Sequence, residues 1–86
     1  MPEISRFFGI VIRMYFDDHG PPHFHAHYGP CAAKIGLAPI TMLEGDLPAR
    51  ALRLTREWAT LHEQELLQNW RRVRSGQAPV RIAPLE

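Results

Sequence analysis

Between Asp17 and Tyr28 the chain gathers four of its five histidines, beside a pair of aspartates and behind a double proline. The run His23-Phe24-His25-Ala26-His27-Tyr28 alternates at period two, the pattern of a strand with one buried and one open face. That parity assigns His23, His25 and His27 to the open face, and Phe24, Ala26 and Tyr28 to the core. Same-face neighbours on a strand stand ~6.5–7 Å apart and point the same way. Two kinds of chemistry follow. Imidazole moves protons near neutral pH, which makes His23 and His25 the candidate acid and base of a cofactor-free reaction. Imidazoles so placed can also converge on zinc or another transition metal. His19, His23, His25 and His27 are the candidate ligands in that case, with Asp17 or Asp18 completing the shell.

The segments around this run must position it. Ser5 to Phe16 reads as one long strand, rich in aromatic and β-branched residues. Its apolar face is Phe8, Ile10, Ile12, Met14 and Phe16, and Arg13 and Tyr15 fall on the other side. Asp17 to Pro22 reads as a turn, and Pro21-Pro22 stiffens the entry to the histidine strand. Gly29-Pro30 turns the chain again. Ala32 to Ala38 is the next strand, with Lys34 pointing outward, and Ile40 to Leu43 a short one after Pro39. Strands joined by short turns favour an antiparallel meander.

Glu44 to Pro48 reads as a helix start, with Asp46 as the cap and Pro48 in the first turn. Helical spacing then runs to Ser75, and Gly76 is the stop. Ala51, Leu54, Trp58 and Leu61 form one stripe. Leu66, Trp70 and Val73 form a second, displaced by roughly 80° at ~100° per residue. That displacement predicts a kink, or two helices meeting, near Thr60-Leu61-His62. His62, within the helical segment, is expected as a buried histidine with a hydrogen-bonded neighbour and not as a ligand. Pro79 to Ile82 is available as a last edge strand.

The expected fold is therefore α+β: one small two-layer domain spanning 1–86. An antiparallel meander of three or four strands, plus the C-terminal edge strand, packs on one kinked helix or two consecutive ones. The apolar sheet face meets Trp58, Leu61, Leu66 and Trp70. The opposite face carries Arg13, Tyr15, His23, His25, His27 and Lys34. Arg13, Tyr15 and Lys34 are the candidate substrate contacts, because cations hold phosphates and a phenol ring can stack on a base. Together with the histidines they would suit RNA, and a metal-independent endoribonuclease is the corresponding enzyme.

Composition narrows the classes. A net charge of +1 gives no whole-molecule attraction to nucleic acid or membrane, so any basic surface must be local. One cysteine, Cys31, excludes an intramolecular disulfide and fits a reducing compartment. The first residues do not read as a secretory leader, and no run approaches the ~18 apolar residues of a spanning helix. The expectation is a cytoplasmic protein without membrane contact.

The residues also resemble a family of small bacterial proteins classed as a domain of unknown function. The resemblance lies in Ile4-Ser5-Arg6-Phe7, Gly9 to Tyr15, Pro21-Pro22-His23-Phe24-His25-Ala26 and Leu43 to Pro48. Trp58, His62, Glu65-Leu66 and Asn69-Trp70 extend it over nearly the whole chain. It implies a second small protein encoded alongside, in an arrangement similar to toxin–antitoxin pairs, and hence a cognate protein partner. It places weight on His23, His25 and the preceding His19. His27 departs from the family pattern, where an acidic or other polar residue commonly stands, which leaves a histidine pair rather than a triplet.

Overall fold

A two-residue turn at Phe8-Gly9 divides the expected first strand in two. In the computed structural model, which describes residues 3–86, β1 spans Glu3–Phe7 and β2 spans Ile10–Arg13, with Phe7 facing Ile10 across the hairpin. Phe8 and Gly9 have φ of 50° and 80°. Positive φ at both central positions matches the turn to the right-handed twist of its strands, and glycine is at home there. The turn inverts the expected parity around it. Phe7 is buried, whereas Phe8 is half exposed at the tip. Ile10, Ile12 and Met14 keep their place in the core, and Phe16 lies at the surface.

Three further strands complete an antiparallel sheet in sequence order: β3 (His23–Tyr28), β4 (Cys31–Gly36) and β5 (Thr41–Gly45). The meander thus has five strands where three or four were expected, because the first one is a hairpin. The prolines before β3 act as anticipated: the Pro22 carbonyl accepts from Leu37 N–H at 2.9 Å, tying the strand entry to the end of β4. Cys31 opens β4 as a free thiol, opposite Tyr28.

The helical layer is two helices, α1 (Ala49–Leu61) and α2 (Glu63–Arg74), meeting at His62 as the stripe displacement predicted. Pro48, not Asp46, stands at the N-cap, and no side chain caps the helix. Asp46 is held in the sheet instead, its N–H donating to the Ala32 carbonyl at 3.0 Å. The buried residues of α1 are Ala51, Thr55, Trp58 and Ala59; Leu61 is exposed because the helix ends there and the chain turns away. Leu66, Trp70 and Val73 of α2 are buried as expected. His62 makes the expected hydrogen bond, its Nδ1 donating to Glu65 Oε1 at 2.6 Å with its ring against Trp58, but it is half-buried rather than buried because it stands at the helix junction.

Trp58 is the centre of the core, fully buried, with Phe7 at 5.2 Å and Phe24 at 5.8 Å between ring centroids. The C-terminal stretch forms no strand but is strapped down at three points. Ile82 N–H donates to Ile4 O at 2.8 Å, Trp58 Nε1 donates to Ala83 O at 2.9 Å, and Asn69 brackets the Val80 backbone. Among the described residues, no helix is long and apolar enough to cross a membrane.

Candidate functional site

Three segments build the site: β3, the Asp17–Pro22 turn and the C-terminal half of α2. The first residue of β3, His23, has open-face parity but is not open. Trp70 lies over it with ring centroids 4.9 Å apart, and the imidazole is completely buried. Arg74 fastens the same corner, its Nη1 donating to the Asp18 carbonyl at 3.1 Å while its guanidinium stacks toward Trp70. The expected open triplet is therefore graded. His23 is inside, His25 and His27 are half-buried, and His19 lies exposed on the turn.

The turn delivers Asp18 to the two leading histidines. Its Oδ2 is 3.0 Å from His25 Nε2, in a hydrogen bond, and 3.0 Å from His23 Nε2. The second contact lies off the line a hydrogen bond needs, so His23 Nε2 is buried without a partner. The other nitrogen of that ring is well placed: His23 Nδ1 donates to the Pro21 carbonyl at 2.9 Å. The two imidazole rings meet edge to face at 5.2 Å. One donor atom each from Asp18, His23 and His25 falls within 4.8 Å of the others. His27 stands apart from this cluster, its Nε2 hydrogen-bonded to the Tyr15 hydroxyl at 3.1 Å, and the Tyr15 ring also abuts His25 at 4.6 Å. Of the four histidines considered as metal ligands, the fold brings two together with Asp18 and leaves His19 and His27 outside.

Across the sheet, register sets a row on the same face. Arg13 of β2 lies opposite His25, which lies opposite Lys34 of β4, which lies opposite Glu44 of β5. Arg13 Nε is buried without a hydrogen-bond partner. Beyond Arg13, Val11 faces His27. Burial lowers the His27 pKa first, and the neighbouring positive charge of Arg13 and then His25 lowers it further, so this imidazole favours its neutral form. His25, Ala32, Ala33, Lys34, Glu44 and Gly45 line a shallow depression beside the row.

Sequence reasoning placed Arg13, Tyr15, His25, His27 and Lys34 on one face, and the fold does so. It missed the burial of His23 because the cover comes from Trp70, far away in the chain. It also missed the part of Arg74, which read as an ordinary cation at a helix C-terminus.

A small α+β domain carrying a His-Asp-His cluster at the entry to the central strand of a meander is the class this geometry defines. The model of the family described as a domain of unknown function (DUF4160) matches residues 9–71, well over half of the chain and all of the cluster, and the chain belongs to that family. No curated protein and no solved structure matches it.

Proposed function

We propose that this protein is a small module of toxin–antitoxin type that acts on RNA through the face bearing Arg13, Tyr15, His25 and Lys34. The observation that carries the reading is the cross-strand row in which two cations flank one imidazole, with the Arg13 Nε left unpartnered. The Arg13 side chain is only partly buried, so the rest of its guanidinium can meet an anion that binds from outside, and a phosphodiester oxygen supplies one. Lys34 offers a second positive charge two strands from Arg13, opposite Glu44 in the register. Tyr15 provides a ring edge and a hydroxyl on the same face.

Cleavage of an RNA strand next to its 2′-hydroxyl needs one group to take the hydroxyl proton, another to protonate the departing oxygen, and cations to hold charge on the phosphate. His25, steadied by Asp18, and the Tyr15–His27 pair are the proton-handling groups within reach of a strand on this face. His23 does not touch it, because Trp70 covers its ring. The resemblance to proteins encoded beside a second small domain supplies the expected partner, a cognate protein that would cover this face.

The test is induced expression in a bacterial host, comparing wild type with His25→Ala and with an Arg13→Gln/Lys34→Gln double variant, each checked for folding by circular dichroism. His25 is preferred to His23 because its imidazole is half-exposed and its loss leaves the core intact. Growth arrest with fragmented RNA in wild type, relieved in both variants, is the expected result. Unimpaired growth together with intact RNA after incubation with purified protein would refute the RNA reading and return a non-catalytic binding module.

A further inference from the structure

We propose that Asp18, His23 and His25 form a binding site for one divalent first-row transition-metal ion. The argument starts from His23. A carbonyl oxygen can only accept, so the 2.9 Å contact with Pro21 requires the proton on Nδ1. In the neutral ring Nε2 then carries a bare lone pair. That lone pair is fully buried, lacks a hydrogen-bond partner, and stands 3.0 Å from an oxygen of the Asp18 carboxylate, itself only an acceptor. Two acceptors held face to face at this distance call for a cation between them. A proton is poorly served by the geometry, since the oxygen lies off the line of a hydrogen bond. A metal ion displaced to one side of that line, where the His25 nitrogen also points, satisfies all three donors.

The dimensions agree. Four-coordinate zinc with bonds of ~2.0–2.1 Å has ligand atoms about 3.3 Å apart. The two nitrogens each lie 3.0 Å from the shared Asp18 oxygen, with the whole set inside 4.8 Å. Small side-chain adjustments of the half-buried Asp18 and His25 would bring the set to those edges. The surroundings are also those of a metal site. A ligating histidine usually donates its other ring nitrogen to a backbone carbonyl or carboxylate, which fixes the tautomer, and Pro21 does this for His23. The Arg74 bond to the Asp18 carbonyl and the Trp70 ring over His23 hold two of the ligands rigidly. Asp18 and His25 are each 23% exposed, so an ion can enter from the sheet face and keep water at its remaining positions.

The donor set selects the ion class. Two imidazoles with one carboxylate suit zinc, cobalt, iron or manganese in the divalent state. Calcium and magnesium prefer all-oxygen shells, and copper(I) prefers sulfur. This inference deepens the reading of the face by naming what sits at its centre, but it does not depend on RNA; with the ion bound, His25 serves as a ligand and the Tyr15–His27 pair is left as the proton-handling group beside it.

The experiment titrates chelator-treated protein with Zn²⁺ by calorimetry and with Co²⁺ by visible absorption, without nucleic acid. One ion per chain is expected, in a site whose cobalt spectrum shows low-symmetry, four- or five-coordinate intensity. Asp18→Asn and His25→Ala, each confirmed as folded, should weaken binding by at least ~100-fold, the upper range for loss of a mere outer-shell partner. A His19→Ala/His27→Ala variant should bind like wild type. Binding no tighter in wild type than in His25→Ala, or binding abolished by the His19/His27 variant alone, would overturn the proposal. Because growth and RNA integrity are read separately, metal binding without RNA cleavage would sink only the RNA reading, and cleavage by metal-free protein with no ion affinity would sink only this one.

Discussion

Asn69→Ala should destabilise the fold by about 2 kcal/mol while leaving the His-Asp-His cluster assembled. Asn69 is 2% exposed and makes two bonds of 2.8 Å to Val80, its Nδ2 donating to the carbonyl and its Oδ1 accepting from the N–H. Each such bond contributes ~1 kcal/mol net, and more when removal strands a buried partner. Val80 is 53% exposed, so its backbone groups recover water and the larger penalty does not apply. The sum for two bonds is thus about 2 kcal/mol, a fall of roughly 8–16 °C in Tm for a domain of this size. Asn69→Asp should be at least as damaging, since a carboxylate oxygen would face the Val80 carbonyl in place of the amide donor. Urea denaturation measures the loss, and hydrogen exchange locates it. The Ile82 amide, bonded to Ile4 O, should lose protection ahead of the sheet. A loss below ~0.5 kcal/mol, or unchanged Ile82 exchange, would show that the C-terminal strap does not depend on Asn69.

Three other outcomes are expected. Gly45→Ala should cost about 2–4 kcal/mol in chemical denaturation, because φ is +83° there and the new Cβ would run into the Ala32 carbonyl and lie 2.9 Å from Ala33 Cα, both backbone. If single-stranded RNA binds the face, Arg13→Gln and Lys34→Gln should each flatten the log affinity against log salt by ~0.7 in a filter-binding assay. Glu3 has its pKa lowered to about 2, chiefly by its hydrogen bond to Arg6, with Arg81 assisting. A depressed carboxylate contributes stability that is present above its unfolded pKa and lost as pH falls through the folded one. Glu3→Gln should therefore be less stable than wild type at pH 7, and the gap should close between roughly pH 5 and pH 2 in thermal melts.

What could be read from the chain divides by the range of the cause. Period-two alternation gave the extent of β3, and the change of helical phase placed a break near Thr60-Leu61-His62, where the helices meet, since both depend on neighbours within a few positions. The Phe8-Gly9 turn was hidden because the apolar alternation runs unbroken through it, and Gly9 alone is a weak turn signal beside five large hydrophobic residues. Asp46 was misread as a cap for a similar reason. Its side chain suits that role, but its backbone is held by the Ala32 carbonyl, which only tertiary structure supplies. The cluster was half legible: His23 and His25 follow from their spacing, and Asp18 was one of two acids near enough to join them. The choice among those acids was made by Arg74, whose bond to the Asp18 backbone lies 56 residues away in sequence.

The same long-range contacts explain why two histidines two residues apart differ in kind. On an isolated strand His23 and His25 would be equivalent, side by side on one face. Trp70 and the Asp17–Pro22 turn close over the first and stop short of the second, so one imidazole becomes a fixed, dry donor and the other a half-exposed one. A carboxylate that reaches both then joins an interior group to a surface group through a single oxygen. Neither a solvated histidine patch nor a buried core histidine has this property. It gives the cluster rigidity from within and access from without, which is what a site that must hold an ion or a proton and still meet a substrate requires. Placement of Trp70 is thus part of the site although it carries no chemistry of its own. Trp70→Phe, which keeps a ring over His23, should preserve ion binding, whereas Trp70→Ala in a protein still folded by circular dichroism should weaken it about as much as loss of an outer-shell partner, ~10–100-fold. Equal affinity in Trp70→Ala and wild type would mean that the imidazole needs no cover to stay in place.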